Sequence, residues 1–287
     1  MLTTFFEINR RGNHTIHLLS EGITVENKQA VEEIIHRYNG EFRYYKVASE
    51  LLEQCPIKEN DHLTIATYYR LFMSERLPPT LDKVLYLDCD LVVNGSLYEL
   101  WNIELEDNAV AAMEEMGGAL PDAYERLSYD KQYGYFNAGV LLINLKYWRE
   151  HKVVGLFNEY IAGNEVRLVA HDQDVLNALF HDKYLPLSCK WNVEETFYHY
   201  SFIERKAFDK GLLAILRHPV ILHYTWKPKP WQPKCKHPLR INYFYYREKT
   251  IWRGLYRQKY LDALLHKYLF DVLSYFRIKN RKYYKLK

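Results

Sequence analysis

Strand-length apolar runs alternate with helix-length segments along most of this 287-residue chain, and that alternation restricts the fold more than any other feature. The runs are "HTIHLL" (14–19), "EFRYYKV" (41–47), "KVLYLD" (83–88), "AVAAM" (109–113), "AGVLLINL" (138–145) and "VILHYT" (220–225). Between them, residues 24–40 read as a helix opened by Thr24 as N-cap and closed by Gly40. Residues 63–77 read as a helix stopped by Pro78 and Pro79, and residues 146–163 and 173–180 as two more. Strands that are apolar on both faces and alternate with helices predict an α/β fold with a mostly parallel sheet flanked by helices. In such sheets ligands bind at the carboxyl ends of the strands.

One strand ends in a way that calls for chemistry. In "KVLYLDCDLVV" the acids Asp88 and Asp90 stand one residue apart where a buried strand gives out. Like charges held that close repel each other, and burial makes both more costly unless a cation pairs them. On an extended segment residues i and i+2 point the same way, so both carboxylates can grip one divalent cation that also holds a polyphosphate. The pattern by itself is weak, because Asp172 and Asp174 in "HDQDVLN" repeat it. What distinguishes the first pair is a strand before it and strand-like residues after it.

The rest of the composition bounds the classes. Hydrophobic residues make up 48% and charged residues 26%, as in ordinary globular proteins, and no apolar run is long enough to span a bilayer. The start, "MLTTFFEINRRGNH", lacks the zones of a secretory signal. Cys55, Cys89, Cys189 and Cys235 show no metal or disulfide spacing and read as reduced thiols of a cytosolic protein; Cys235 and His237 in "CKHP" have no second pair to complete a metal site. Charge is divided unevenly. Residues 240–287 hold 13 Lys and Arg against 3 Asp and Glu, whereas the preceding residues hold 26 against 33. An acidic body with a basic tail is expected.

Five motifs recur in one order: "ATYYRL" (66–71), "KVLYLDCDLVV", "FNAGVLLINL" (136–145), "HDQDVLN" (171–177) and "HYTWKPKPW" (223–231). In that order they resemble bacterial members of glycosyltransferase family 8, retaining enzymes that move glucose or galactose from a UDP-sugar. The resemblance spans most of residues 10–235 and implies a GT-A fold, α-linked products and dependence on manganese, with magnesium as the alternative ion. It also implies roles. Asp88, Asp90 and His223 would be metal ligands, a set of oxygens plus imidazole that suits manganese better than calcium. Lys229 would reach the diphosphate, and the backbone N–H of Trp226 would serve a phosphate where the family has a small residue. Arg70 would lie beside the donor sugar and phosphates, and Asn137 and Ala138 beside sugar hydroxyls. Asp172 and Gln173 would bind the donor sugar, with Gln173 facing its anomeric carbon and Asp174 as the fallback nucleophile. Asp172 also has a purely structural reading as a helix cap.

The resemblance departs in one place. The family begins with a strand ending in an acidic motif that holds the nucleoside, and here Met1 falls within what resembles the following helix. Either the start is misassigned or the chain is truncated and loses a central strand, and the second case would leave a sheet edge without its partner. A non-catalytic transferase that only binds a partner is therefore one alternative. A haloacid-dehalogenase-type phosphatase is another, because "VLYLDCDLVV" resembles its first motif; that class, however, places the motif near the N-terminus and needs a later acidic metal motif not found here.

The expected division is a GT-A catalytic domain over residues 1–235 and a basic, aromatic, amphipathic segment over 236–287. In that segment Leu261, Leu264, Leu265, Tyr268, Leu269, Val272 and Phe276 recur at helical spacing among basic residues. The spacing fits a C-terminal helix packed on the domain, or, as expected here, a helix lying on an anionic membrane surface, which places the protein on the inner face of the cytoplasmic membrane. The expected partners are a UDP-glucose or UDP-galactose donor and a glycan, lipid-linked or glycoprotein acceptor. Nucleic acid is not expected, since no binding module accompanies the tail's charge.

Overall fold

A computed structural model describes residues 1–57, 64–115, 122–199, 201, 210–232, 234–254, 257–276 and 282–283. Among these the strands are β1 (Thr15–Ser20), β2 (Glu41–Lys46), β3 (Lys83–Leu87), β4 (Leu91–Val93), β5 (Val110–Glu114), β6 (Phe136–Asn144), β7 (Tyr184–Pro186), β8 (Val193–Glu194) and β9 (Ile221–His223). The chain forms two compact units, one of residues 13–87 and 98–187, the other of residues 1–12, 88–97 and 188–287. This partition differs from a boundary after Cys235.

In the first unit β1 and β2 form a parallel pair, and β3-β6-β5-β7 form a four-stranded sheet. β6 runs antiparallel to both β3 and β5, and β5 runs parallel to β7. The expectation of a mostly parallel sheet is thus corrected: the α/β class holds, but the sheet is mixed. The cause of the error is physical. Eight of nine residues of β6 are buried, and a strand covered on both faces is apolar throughout whichever way it runs.

The core of this unit gathers Trp148, Phe157 and Phe180, whose ring centroids lie 5.2–5.7 Å apart. The buried indole of Trp148 donates to Ala109 O at 3.0 Å, which keeps its one polar atom satisfied. Three helical expectations are refined. Residues 63–77 are a 3-10 helix over Ile65–Phe72 followed by an α-turn, Met73–Arg76, while Leu63 lies outside the described residues. Residues 146–163 form two helices, Leu145–Glu150 and Val153–Asn164, parted by Lys152 at φ 51°. After the helix Val25–Arg37 it is Asn39, at φ 58°, that takes the left-handed conformation in place of Gly40. Thr24 does cap that helix, accepting from Asn27 N at 3.2 Å. Arg149 donates to the carbonyls of Ser74, Leu81 and Pro78 at 2.9, 2.6 and 3.0 Å, which ties the turn at Pro78 and Pro79 to the helix Leu145–Glu150, and Pro78 O also accepts from Leu81 N at 3.1 Å.

In the second unit β9 is central, antiparallel to β4 and parallel to β8. The helix Leu2–Ile8 is fastened to β4 where Val93 N donates to Thr4 Oγ1 at 2.9 Å. The tail belongs to this unit. Helices span Arg240–Arg247 and Arg257–Tyr275, with Phe244 buried, and Lys249 pairs with Glu7 at 2.6 Å. Tyr283 is buried, bridges to His199 and donates to Glu195 Oε1 at 2.7 Å, with Lys282 reaching the same oxygen at 2.8 Å. Residues 255–256, 277–281 and 284–287 of the tail lie outside the described residues.

Candidate active site

The second unit brings Asp88, Asp90 and His223 together, each offering one ligand atom within 4.8 Å of the others. Asp88 directly follows the last residue of β3, and Asp90 directly precedes β4. The two acids sit across a turn rather than on a continuous strand, with the exposed Cys89 between them. The ladder supplies the third group: Leu91 pairs with His223, so the end of β9 meets the start of β4 beside Asp90. Nε2 of His223 lies 3.1 Å from Asp90 Oδ1 and 3.6 Å from Asp88 Oδ2. Its Nδ1 faces Asn192 Oδ1 at 2.9 Å.

Lys229 adds the positive charge. Its Nζ lies 2.5 Å from Asp90 Oδ2 and also donates to Tyr224 O at 2.5 Å and Thr225 O at 2.9 Å. Burial by itself would raise the Asp90 carboxyl, but the imidazole of His223 and the ammonium of Lys229 outweigh it and hold the group well below the usual carboxylate range. Burial would likewise lower His223, yet Asp90 and then Asp88 raise it. Two carboxylates and an imidazole that turns Nε2 towards them fit a divalent cation of the manganese or magnesium kind. Trp226 is 57% exposed, and the Lys227–Pro228 bond that follows it is cis.

The first unit gathers the other expected residues. Arg70 is buried, and its Nε pairs with Asp172 Oδ2 at 2.8 Å. The same guanidinium donates to Thr67 O at 3.2 Å and to Ala138 O, and it stacks 4.2 Å from the ring centre of Tyr86. Thr67 Oγ1 donates to the other oxygen of Asp172. Gln173, half-buried on the helix His171–Phe180, accepts from Ala138 N at 2.8 Å. Asn137 donates to Glu115 at 2.7 Å and accepts from Gly139 N at 2.9 Å.

Asp174 stands in a different environment. It is fully buried and accepts from Arg126 Nη1 at 2.6 Å, Tyr135 at 2.8 Å and the backbone N–H groups of Val169 and Ala170 at 2.7 Å. Its oxygens serve the packing of this helix, and the geometry lends the fallback nucleophile no support. Directly before Asp172, the non-glycine His171 holds φ at 51°, with its ring buried and 3.2 Å from Tyr68 Oη. A side chain held in the left-handed region costs free energy that the surrounding packing must offset, a device common beside functional groups.

Thr67, Tyr86, Glu115 and Asn192 escaped the sequence reading. Thr67 alone had a local signal, standing three residues before Arg70 on a helical segment. The others meet their partners only through tertiary packing.

Comparison with known proteins follows the same lines. The family model described as Glycosyl transferase family 8 matches residues 6–235. General stress protein A of Bacillus subtilis is 28% identical over 250 residues, which is 84% of this chain and 84% of that protein. Lipopolysaccharide 1,2-glucosyltransferase of Escherichia coli is 27% identical over 281 residues, or 96% of this chain and 80% of that protein. The crystal structure of galactosyltransferase LgtC with donor and acceptor sugar analogs superposes with a TM-score of 0.76 at 28% identity, covering 90% of this chain and 95% of that one.

Proposed function

The chain belongs to glycosyl transferase family 8, with a GT-A-like fold, and on that premise we propose that it transfers glucose or galactose from a UDP-sugar with retention of configuration. Membership overturns the phosphatase alternative. The observation that carries the proposal is the convergence of Asp88, Asp90 and His223 on one point with Lys229 beside it. Strand-end acids with a solely structural role have no need of an imidazole and an ammonium at the same place.

In this reading Asp88, Asp90 and His223 hold a divalent cation, manganese first, which would neutralise diphosphate charge. Lys229 exchanges its pairing with Asp90 for the phosphates of the donor, and the N–H of Trp226 serves the same groups. Arg70 holds Asp172 in place for hydrogen bonding to the donor sugar, and Asn137 and Ala138 line the sugar's surroundings. Retention then needs a nucleophile or attack from the departing side. Gln173 Oε1 already accepts from Ala138, Asp174 is occupied by its donors, and Asp172 is paired with Arg70. That distribution favours front-face attack. The bond from the anomeric carbon to the phosphate oxygen breaks with its electrons leaving on UDP, the acceptor oxygen bonds on the same face, and its proton passes to a phosphate oxygen.

The acceptor proposed is a cell-surface glycan, glycolipid or glycoprotein. No described helix is long and apolar enough to cross a membrane. Leu261, Leu264, Leu265, Tyr268, Leu269 and Leu273 nonetheless stand exposed on the helix Arg257–Tyr275, with Phe276 exposed directly after it, within the chain's most basic segment. Half-buried Val272 drops out of the expected stripe and Leu273 enters it. An apolar stripe in cationic surroundings suits peripheral attachment to the anionic inner face of the cytoplasmic membrane.

The test is hydrolysis of UDP-glucose and UDP-galactose with and without manganese, read beside UDP titration. Manganese-dependent turnover of either sugar supports the enzyme. Absence of UDP binding would favour a non-catalytic binding partner, and a β-linked product from an α-linked donor would exclude retention.

A further inference from the structure

We infer that Asn192 is a positioning residue for His223: its side-chain carbonyl fixes the imidazole in the tautomer that presents Nε2 to Asp88 and Asp90. The inference rests on the proposed reading of those three residues as a cation site. Asn192 is completely buried and ends the 3-10 turn Cys189–Trp191, one residue ahead of β8. Val193 pairs with Leu222 and Glu194 with His223, so the parallel ladder sets Asn192 beside the ring from the flank opposite β4. The Oδ1 to Nδ1 distance is 2.9 Å.

A carbonyl oxygen accepts and never donates, so the ring nitrogen facing it must carry the hydrogen. The lone pair of a neutral imidazole then belongs to Nε2, the atom 3.1 Å from Asp90 and 3.6 Å from Asp88. The His223 side chain is only 4% exposed, so water is poorly placed to take over the role of Asn192. The neutrality of the amide also counts. It orients the ring without adding a third negative charge beside two carboxylates whose mutual repulsion the site must already overcome.

The experiment measures manganese affinity of the full chain without nucleotide, from the electron paramagnetic resonance signal of the free ion. Asn192→Leu keeps the volume and removes the acceptor, whereas Asn192→Asp keeps the acceptor. Metal-ligating histidines that lose such a partner typically bind about 10- to 100-fold more weakly, so the Leu variant is expected in that range and the Asp variant within about threefold of the parent. Melting in chelator checks that each variant folds, and Asn192→Ala carries the same expectation should the Leu variant not fold. Parent-like affinity in the Leu or Ala variant overturns the inference. So does an Asp variant as weak as the Leu variant, which would make Asn192 a packing residue. Parent binding that is absent, or unchanged by Asp90→Ala, overturns the cation site itself and this inference with it.

Discussion

Lys229 and Asp90 form an ion pair at 2.5 Å, with 16% and 21% of their side chains exposed. Among the described residues the ammonium also donates to two backbone carbonyls, those of Tyr224 and Thr225. A compact ammonium held by one carboxylate and two carbonyls can move to phosphate oxygens with little rearrangement, since an ammonium is a point charge without a preferred plane. Lys229→Ala is expected to lower kcat/KM for UDP-sugar hydrolysis by about 2–4 kcal/mol of transition-state stabilisation. Steady-state kinetics beside UDP titration decide it; a defect confined to acceptor binding would place Lys229 elsewhere.

Asp88→Ala and Asp90→Ala should each abolish manganese-dependent turnover, a loss of about 100-fold or more. Asp88→Ala also removes one member of a repelling pair, so its melting temperature should stay close to the parent's. Turnover at saturating manganese that matches the parent would reduce the two acids to a structural role.

The Arg70–Asp172 pair is buried on both sides. Breaking such a pair from one side leaves a charge without its counter-ion, so Arg70→Ala should destabilise the protein by about 3–5 kcal/mol in denaturant unfolding. Thr67→Val is the finer probe. It keeps the shape and removes one hydrogen bond to Asp172, for a cost of about 1–3 kcal/mol. A neutral effect of Thr67→Val would show that the hydroxyl does not hold Asp172.

His237 gives the fold an acid limit. Its ring is fully buried, with Tyr198 and Tyr224 at 4.8 and 5.0 Å, and Nε2 has no hydrogen-bond partner among the described residues. Burial, only partly opposed by Glu195, pulls its pKa from 6.5 down to about 3. Between those values the unfolded chain binds the proton and the folded one does not, so stability falls as pH drops below about 6.5. His237→Phe should flatten the loss of melting temperature between pH 7 and pH 5. At pH 7 it should cost about 1 kcal/mol for the lost bond from Leu239 N. Parallel curves for parent and variant would assign the acid limit to other groups.

Membrane attachment is best tested on the helix Arg257–Tyr275 by substitution, because deleting the tail also deletes Lys282 and Tyr283 from buried Glu195. Leu265→Glu combined with Tyr268→Glu changes two side chains that are 58% and 67% exposed. The pair should release the protein from anionic vesicles at low salt while UDP-sugar hydrolysis and melting stay near the parent's. Vesicle binding that survives both changes would remove this stripe from the attachment surface.

Much of this protein is legible in its residue order. Periodicity marks the strands, since burial imposes it locally, and a capping Thr24 or an Asp-x-Asp at a strand end is a short-range signal. The candidate metal site of Asp88, Asp90 and His223 is reached through the family resemblance that the motif order carries, and the exposed stripe of the last helix through helical spacing. Strand direction is not legible in this way, because β6 is as apolar antiparallel to its neighbours as it would be parallel. Nor is the shape of residues 65–72. Their 3-10 winding brings positions i and i+3 into register, and so Thr67 and Arg70 both reach Asp172, about a hundred residues away in the chain. Asn192 carries no sequence mark at all. It becomes a neighbour of His223 only when β8 pairs with β9. Local chemistry chose which residues would be available, and long-range pairing, where burial rewards contacts between distant segments, decided which of them meet.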